Sequence, residues 1–158
     1  MVGFFIAVFL FNFLAIKTVK RLTKNQIIHI WIFTTAFQTI FDTYIDLKYA
    51  GYWYFTRDID LLSILNLTLL VQPVNLMFLN WYPIGTSLYK QIRYFIYWEI
   101  CLLAYEAITT LPEPFGFFHY GWWHLWYSTI INPFLLFLLL CYYKWILRIE
   151  KELRDAFI

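Results

Sequence analysis

Five long apolar segments alternate with short segments that hold most of the charged residues. The apolar segments cover residues 2–16, 27–45, 61–80, 92–108 and 125–147. Each approaches the roughly 20 residues that a helix needs to cross the hydrocarbon core of a bilayer. Helices are expected because backbone polar groups in lipid must be satisfied within their own segment. We predict an all-α membrane protein, with residues 1–158 forming a single bundle of five transmembrane helices.

The composition supports a location in the membrane. Hydrophobic residues make up 62% of the chain and charged residues 14%, and the mean hydropathy is +0.61. A small soluble domain would not tolerate this balance. The expected partner is therefore the lipid bilayer, and nothing indicates nucleic-acid binding. Cys101 and Cys141 both fall inside apolar segments and are expected to be buried thiols without a disulfide.

The distribution of basic residues predicts the orientation. Ten of the twelve Lys and Arg residues lie in the first loop, the third loop and a basic tail at 148–158 or just before it. Lys48 and Arg57 are the two exceptions. Basic residues accumulate on the cytoplasmic side, so the chain is expected to start outside and end inside. The predicted location is the plasma membrane, with several crossings.

Polar side chains recur on single faces of the predicted helices and suggest a binding cavity. Inserting an ionisable group near the bilayer centre costs about 2.5–3.5 kcal/mol of free energy, so each such group is expected to have a structural or functional role. Polar faces avoid lipid and are expected to turn toward one another in the bundle interior. The predicted cavity near the outer leaflet is lined by Gln38, Asp42, Asp46, Arg57, Gln72, Asn75, Glu99, Glu106 and Asn132.

Asp42 and Asp46 are four residues apart and share a helix face. Two carboxylates about 6 Å apart repel by roughly 3 kcal/mol at an effective dielectric constant near 20. Either one of them is protonated, or a positive charge compensates. The candidates for that charge are Arg57, Lys48 and a bound cation, and the sequence leaves these alternatives open.

Metal-binding and catalytic motifs are weak or missing. His119, His124 and Glu113 lie close together in the last outer loop, but their spacing matches no standard metal site. No catalytic triad, metalloprotease motif or phosphate-binding loop is present. The sequence therefore indicates no catalytic residues, no metal and no cofactor.

A shift of 60 residues aligns parts of the chain with itself. It places Asp46 over Glu106, Gln72 over Asn132 and Pro73 over Pro133. In both copies a rising helix ends with an acid and a descending helix carries a polar-Pro dipeptide. Proline interrupts helical hydrogen bonding, so the shift predicts two parallel helical hairpins, each with a broken second helix.

Short aromatic-rich motifs carry a family resemblance. They are Tyr105-Glu106, Tyr120-Gly121-Trp122, Trp126-Tyr127-Ser128 and Tyr142-Tyr143-Lys144-Trp145. In these motifs the chain resembles a family of small multi-helix membrane proteins from endospore-forming Bacillota. The resemblance implies a Gram-positive plasma or spore membrane and a five-helix bundle. It implies no activity.

Three functional hypotheses follow. The preferred one is a non-enzymatic protein whose acidic cavity binds a small molecule, a lipid headgroup or an ion, or docks a helix of a membrane-protein partner. The second is a proton-coupled or small-solute transporter in which Asp42, Asp46 and Glu99 act as a relay. The third is a lipid-modifying enzyme that uses Glu106 with His119 or His124 as acid and base.

Overall fold

A computed structural model describes residues 1–58 and 61–156. Within that part of the chain the helices are α1 (Val2–Thr18), α2 (Lys24–Asp42), α3 (Leu61–Leu69), α4 (Val71–Trp81), α5 (Leu88–Thr109) and α6 (Leu125–Ala156). A π-helical turn, Thr43–Lys48, continues α2, and two short strands, β1 (Tyr52–Tyr54) and β2 (Phe118–Tyr120), form an antiparallel sheet. The predicted helical fold class is confirmed. The sheet was not predicted.

The ends of the helices opposite the sheet are joined by side-chain hydrogen bonds. Thr23 and Gln26 form a reciprocal capping box at the start of α2. The carboxylate of Glu150 accepts hydrogen bonds from Asn25 (2.8 Å) and Gln26 (2.6 Å). Glu150 belongs to the last turns of α6, since residues 148–156 of the expected tail are helical. These bonds fix α6 against α2.

Asn80, near the end of α4, holds the link between α1 and α2. Its side-chain oxygen accepts from the backbone N–H groups of Lys20 (3.1 Å) and Arg21 (2.9 Å). Its amide group donates to the carbonyl of Thr18 at 3.0 Å. Asn80 therefore satisfies backbone groups that the end of α1 leaves without helical partners.

The chain breaks between α3 and α4, three residues before Pro73. Proline has no N–H to donate to the carbonyl of Leu69, four residues earlier. Asn12 of α1 donates to that carbonyl at 2.8 Å, and the side chain of Gln72 donates to the carbonyl of Leu67. By contrast, Pro133 lies inside α6 without interrupting it. The predicted break in both descending helices is therefore wrong for the second one.

Large apolar side chains face outward on every helical segment, while polar side chains are buried. The exposed fraction is 73% for Phe9, 63% for Ile32, 71% for Leu61, 57% for Ile100 and 60% for Phe134. The buried polar residues include Gln26, Thr34, Asp42, Asn66, Gln72, Asn80, Thr109 and Ser128. A contiguous apolar surface of this kind indicates contact with lipid or protein.

Length and hydropathy single out two helical segments of the described chain as able to cross a membrane. They are Leu61–Trp81, with mean hydropathy 1.7, and Leu125–Ala156, with 1.8. The helix α1 is apolar but has 17 residues, which extend about 25 Å at 1.5 Å per residue. The helices α2 and α5 carry polar residues that lower their mean hydropathy. By this criterion only these two segments of the described chain could cross a membrane, and the five predicted crossings are not supported.

Candidate functional site

The two strands form a lid over the ends of α2 and α5. We define the lid as residues 50–55 and 116–124, with Trp53 opposite His119 at its centre. The carbonyl of Gly51 accepts from the N–H groups of Gly121 (2.8 Å) and Trp123 (2.9 Å), and Phe55 N–H donates to the carbonyl of Phe117 (2.8 Å). The lid thus joins two loops that are far apart in sequence.

The backbone at both ends of β1 adopts an unusual conformation. Ala50 and Phe55 each have φ of 50°, a region that costs a non-glycine residue roughly 1–2 kcal/mol. Gly121 is required opposite this turn, because a Cβ atom there would lie 2.1 Å from the carbonyl oxygen of Ala50. Close packing of the two loops therefore depends on the strained turn and on the missing side chain.

Asp42, at the end of α2, is buried beneath the lid. Its Oδ1 atom accepts from the hydroxyl of Tyr52 at 2.5 Å and from the amide of Gln38 at 3.0 Å. Its Oδ2 atom has no protein partner although the side chain is buried. Buried acceptors are normally satisfied, so Oδ2 is available to a donor from outside the protein.

Glu106, near the end of α5, is bound by the second strand. Its Oε1 atom accepts from the hydroxyl groups of Tyr120 and Ser128, both at 2.7 Å. Ser128 in turn accepts from the indole N–H of Trp123 at 3.0 Å. Two opposed lid residues, Tyr52 and Tyr120, therefore donate to carboxylates on two different helices.

The lid tyrosines remain hydrogen-bond donors at physiological pH. Burial raises the pKa of Tyr52 and of Tyr54 well above the usual value for a phenol. Burial, together with the hydrogen bond to Glu106, also raises the pKa of Tyr120. Ionisation of the phenols therefore does not break the lid bonds near neutral pH.

A π-helical turn lies between Asp42 and Asp46, where α-helical spacing was expected. Its i→i+5 bonding, seen in the 3.0 Å bond from Tyr49 N–H to the carbonyl of Tyr44, rotates the chain after Asp42. Asp42 is buried, whereas Asp46 is half-buried. Burial raises the pKa of Asp46 to about 6, so its carboxyl group still ionises near neutral pH. The two aspartates still line one cavity, although the chain between them is π-helical and not α-helical as expected.

Arg57 does not form an ion pair with either aspartate. Its guanidinium group lies over the ring of Trp53, 4.4 Å from the ring centre. The ammonium group of Lys48 lies 5.0 Å from the ring centre of Tyr49. Among residues 1–58 and 61–156 the one ion pair is Arg148–Glu152. Neither Arg57 nor Lys48 therefore compensates the negative charge of Asp42 or Asp46 by direct contact.

Three adjoining cavities lie below the lid, and Asn132 of α6 lines all of them. Their volumes are about 200, 180 and 130 Å³. Gln38 and Asn75 line the first, and Glu106 lines the second and third. The Asn75 amide also donates to the hydroxyl of Thr34 at 3.2 Å. The structure thus brings four of the predicted residues, Gln38, Asn75, Glu106 and Asn132, around a shared interior.

Several buried polar atoms around this interior lack protein partners. Asn66 Oδ1 and the hydroxyl of Tyr105 belong to residues that line the 180 Å³ cavity. Gln72 Oε1, fully buried, is also unpartnered, although its amide group donates to Thr35 at 2.8 Å. Apart from the Tyr105 hydroxyl, these atoms are acceptors only. The interior therefore suits a molecule that donates hydrogen bonds.

Glu99 lines a different space from Asp42 and Asp46. It lines an open groove of about 740 Å³ between α5 and α6, together with apolar residues such as Ile96 and Phe137. The side chains of Asn132 and Glu106 interact with it electrostatically, but neither carboxylate oxygen of Glu99 has a partner within hydrogen-bond distance. A continuous relay from Asp42 through Glu99 is not formed in this arrangement.

The residues considered for a metal site do not converge. In the ranges described, no group of three or more His, Cys, Asp or Glu side chains could hold a metal ion. His119 stacks on Trp53, with ring centres 5.8 Å apart, and His124 stacks on Tyr127 at 6.3 Å. Neither histidine hydrogen-bonds Glu106, whose bonded oxygen is held by Tyr120 and Ser128.

Comparison with models of protein families, with curated proteins and with solved structures finds no match for this chain. The site therefore has to be interpreted from its own geometry.

The sequence analysis missed the residues that complete the site. Tyr52, Tyr120, Ser128 and Asn66 were not among the predicted site residues. A signal was present, since Tyr52-Trp53-Tyr54 and Phe118-His119-Tyr120 are short β-prone runs next to Gly51 and Gly121.

Replacing Tyr52 or Tyr120 with Phe is expected to destabilise the lid. Each change removes a donor to a carboxylate, at a cost of about 1.5–3 kcal/mol for a bond to a charged group. Thermal unfolding in detergent and amide hydrogen exchange of residues 50–55 and 116–124 measure the effect. Tyr97→Phe is the matched control, because Tyr97 is 61% exposed. Unchanged exchange in both lid variants would contradict the assignment.

Proposed function

We propose that this protein crosses a plasma or spore membrane five times, at 2–16, 27–45, 61–80, 92–108 and 125–147, with the lid at the outer face. The support is the inverted distribution of polarity. Every helical segment exposes large apolar side chains, while several amides and hydroxyls and the carboxylate of Asp42 are buried. In water this arrangement would leave a large apolar surface exposed. In a bilayer the apolar side chains would face lipid, and the polar side chains would face the interior of the bundle.

We further propose that the interior below the lid binds a small molecule. The observation that carries this proposal is Asn66 Oδ1, a buried acceptor without a protein partner on a residue that lines the 180 Å³ cavity together with Glu106. An unsatisfied buried polar group costs about 1–3 kcal/mol, and a ligand that donates hydrogen bonds would remove this cost. Aromatic lid residues form the outer wall and would help to exclude competing water.

Transport and catalysis are less well supported. A proton relay requires acids within hydrogen-bond reach of one another, and the carboxylate of Glu99 has no hydrogen-bond partner. Acid–base catalysis by Glu106 requires a histidine close to it, and the two outer histidines stack on aromatic rings instead. Binding without chemistry is therefore the function that this geometry favours.

The proposed topology predicts which loops react with a membrane-impermeant maleimide in intact cells. With Cys101 and Cys141 changed to Ala, single cysteines introduced by Lys48→Cys and Glu113→Cys should be labelled. Those introduced by Thr86→Cys and Lys151→Cys should be labelled only after the cells are permeabilised. Labelling of all four positions in intact cells, or of the last two alone, would contradict the topology.

The proposed binding function predicts a non-covalent adduct on protein purified from its membranes in mild detergent. Native mass spectrometry should show the adduct on the unmodified chain. The adduct should be lost or reduced at least fivefold in Glu106→Gln. The substitution replaces one acceptor oxygen of the carboxylate with an NH₂ group, which donates hydrogen bonds. Glu152→Gln, on the exposed end of α6, is the control. An identical adduct pattern in all three proteins, or none in any, would contradict the proposal.

A further inference from the structure

A fourth cavity lies outside the shared interior, between the end of α2, the π-helical turn and α3. Its volume is about 270 Å³. Asp42, Asp46, Asp58 and Arg57 line it, so both signs of charge border one space. Asp42 is only 5% exposed, and its Oδ2 atom has no hydrogen-bond partner. This last observation distinguishes the cavity from an ordinary cluster of surface acids.

The charges around the cavity suit a molecule that carries an ammonium and an anionic group. The carboxylates of Asp42 and Asp46 would accept hydrogen bonds from the ammonium. The guanidinium of Arg57 is held by its stacking on Trp53, which leaves its N–H donors free for a phosphate. A metal ion is a poorer fit, because Ca²⁺ takes six to eight oxygen ligands and no metal-binding group is found among the described residues.

The rim of the cavity indicates that the occupant also has apolar chains. Leu47 and Ile64 line the cavity and are each 48% exposed. Beyond them, Ile40 and Leu61 extend an exposed apolar surface along α2 and α3. In the proposed topology this rim lies where the hydrocarbon core meets the outer headgroup layer. A lipid would place its headgroup in the cavity and its acyl chains on this surface.

We infer that the cavity binds the headgroup of an aminophospholipid with a primary ammonium, such as phosphatidylethanolamine. The inference rests on the proposed function through its five-crossing topology, and it assigns a ligand class to a second site beside the cavities below the lid. A primary ammonium donates hydrogen bonds to the carboxylates, whereas the quaternary ammonium of phosphatidylcholine has no N–H and favours aromatic cages. Phosphatidylglycerol has no ammonium, and the three aspartates would repel its negative charge.

The test compares lipid retention by purified protein in nanodiscs. The discs contain phosphatidylcholine mixed with an equal share of either phosphatidylethanolamine or phosphatidylglycerol, and native mass spectrometry counts the lipids that remain bound after ejection from the disc. The unmodified chain should retain phosphatidylethanolamine at least fivefold over the other two lipids. Asp46→Asn and Arg57→Gln should each lower this preference about fivefold or more, since each loses one charged partner of the headgroup.

Matched controls are Asp155→Asn and Arg154→Gln, which change exposed charges at the far end of α6 and should leave the preference unchanged. Soluble phosphoethanolamine at millimolar concentration should compete only weakly, because it lacks acyl chains. Equal retention of all three lipids, or an unchanged preference in Asp46→Asn and Arg57→Gln, would overturn the inference. Full competition by phosphoethanolamine would overturn the lipid assignment. If maleimide labelling supports the topology, such failures concern the ligand alone and leave the five crossings in place.

Discussion

The arrangement of this protein depends on hydrogen bonds from two lid tyrosines to two inward-facing carboxylates. A buried carboxylate is costly unless donors replace the water it loses. Tyr52 supplies one such donor to Asp42, and Tyr120 supplies another to Glu106. The dependence is mutual, because two strands of three residues each are only marginally stable by themselves. The acids hold the lid in place, and the lid makes burial of the acids tolerable.

This constraint explains why the polar interior lies at one end of the bundle. The opposite end is closed by Asn80 and by the bonds from Asn25 and Gln26 to Glu150, all of which are satisfied within the protein. Below the lid, acceptors outnumber the available donors. The difference between the two ends favours the lid end as the one that meets a ligand. The acidic cavity beside it extends the same chemistry to the exposed apolar surface of α2 and α3.

The sequence predicted most of the helical structure but little of the detail that forms the site. Apolar runs indicate helices wherever the chain meets lipid, and inward placement of Gln38, Asp42 and Glu106 follows from the cost of exposing them there. The lid escaped prediction because three-residue strands are too short for a clear alternation. The π-helical turn after Asp42 and the bond from Asn12 to Leu69 depend on tertiary contacts that no local pattern encodes.

Disulfide trapping in native membranes tests the paired lid most directly. In a chain with Cys101 and Cys141 changed to Ala, Trp53→Cys and His119→Cys place two thiols opposite each other in the sheet, where Cβ atoms lie about 4.5–5.5 Å apart. Mild oxidation should join this pair efficiently. The off-register pair Trp53→Cys and Phe115→Cys should remain reduced. Failure of the first pair to cross-link, or equal cross-linking of both, would contradict a lid formed over the two acids.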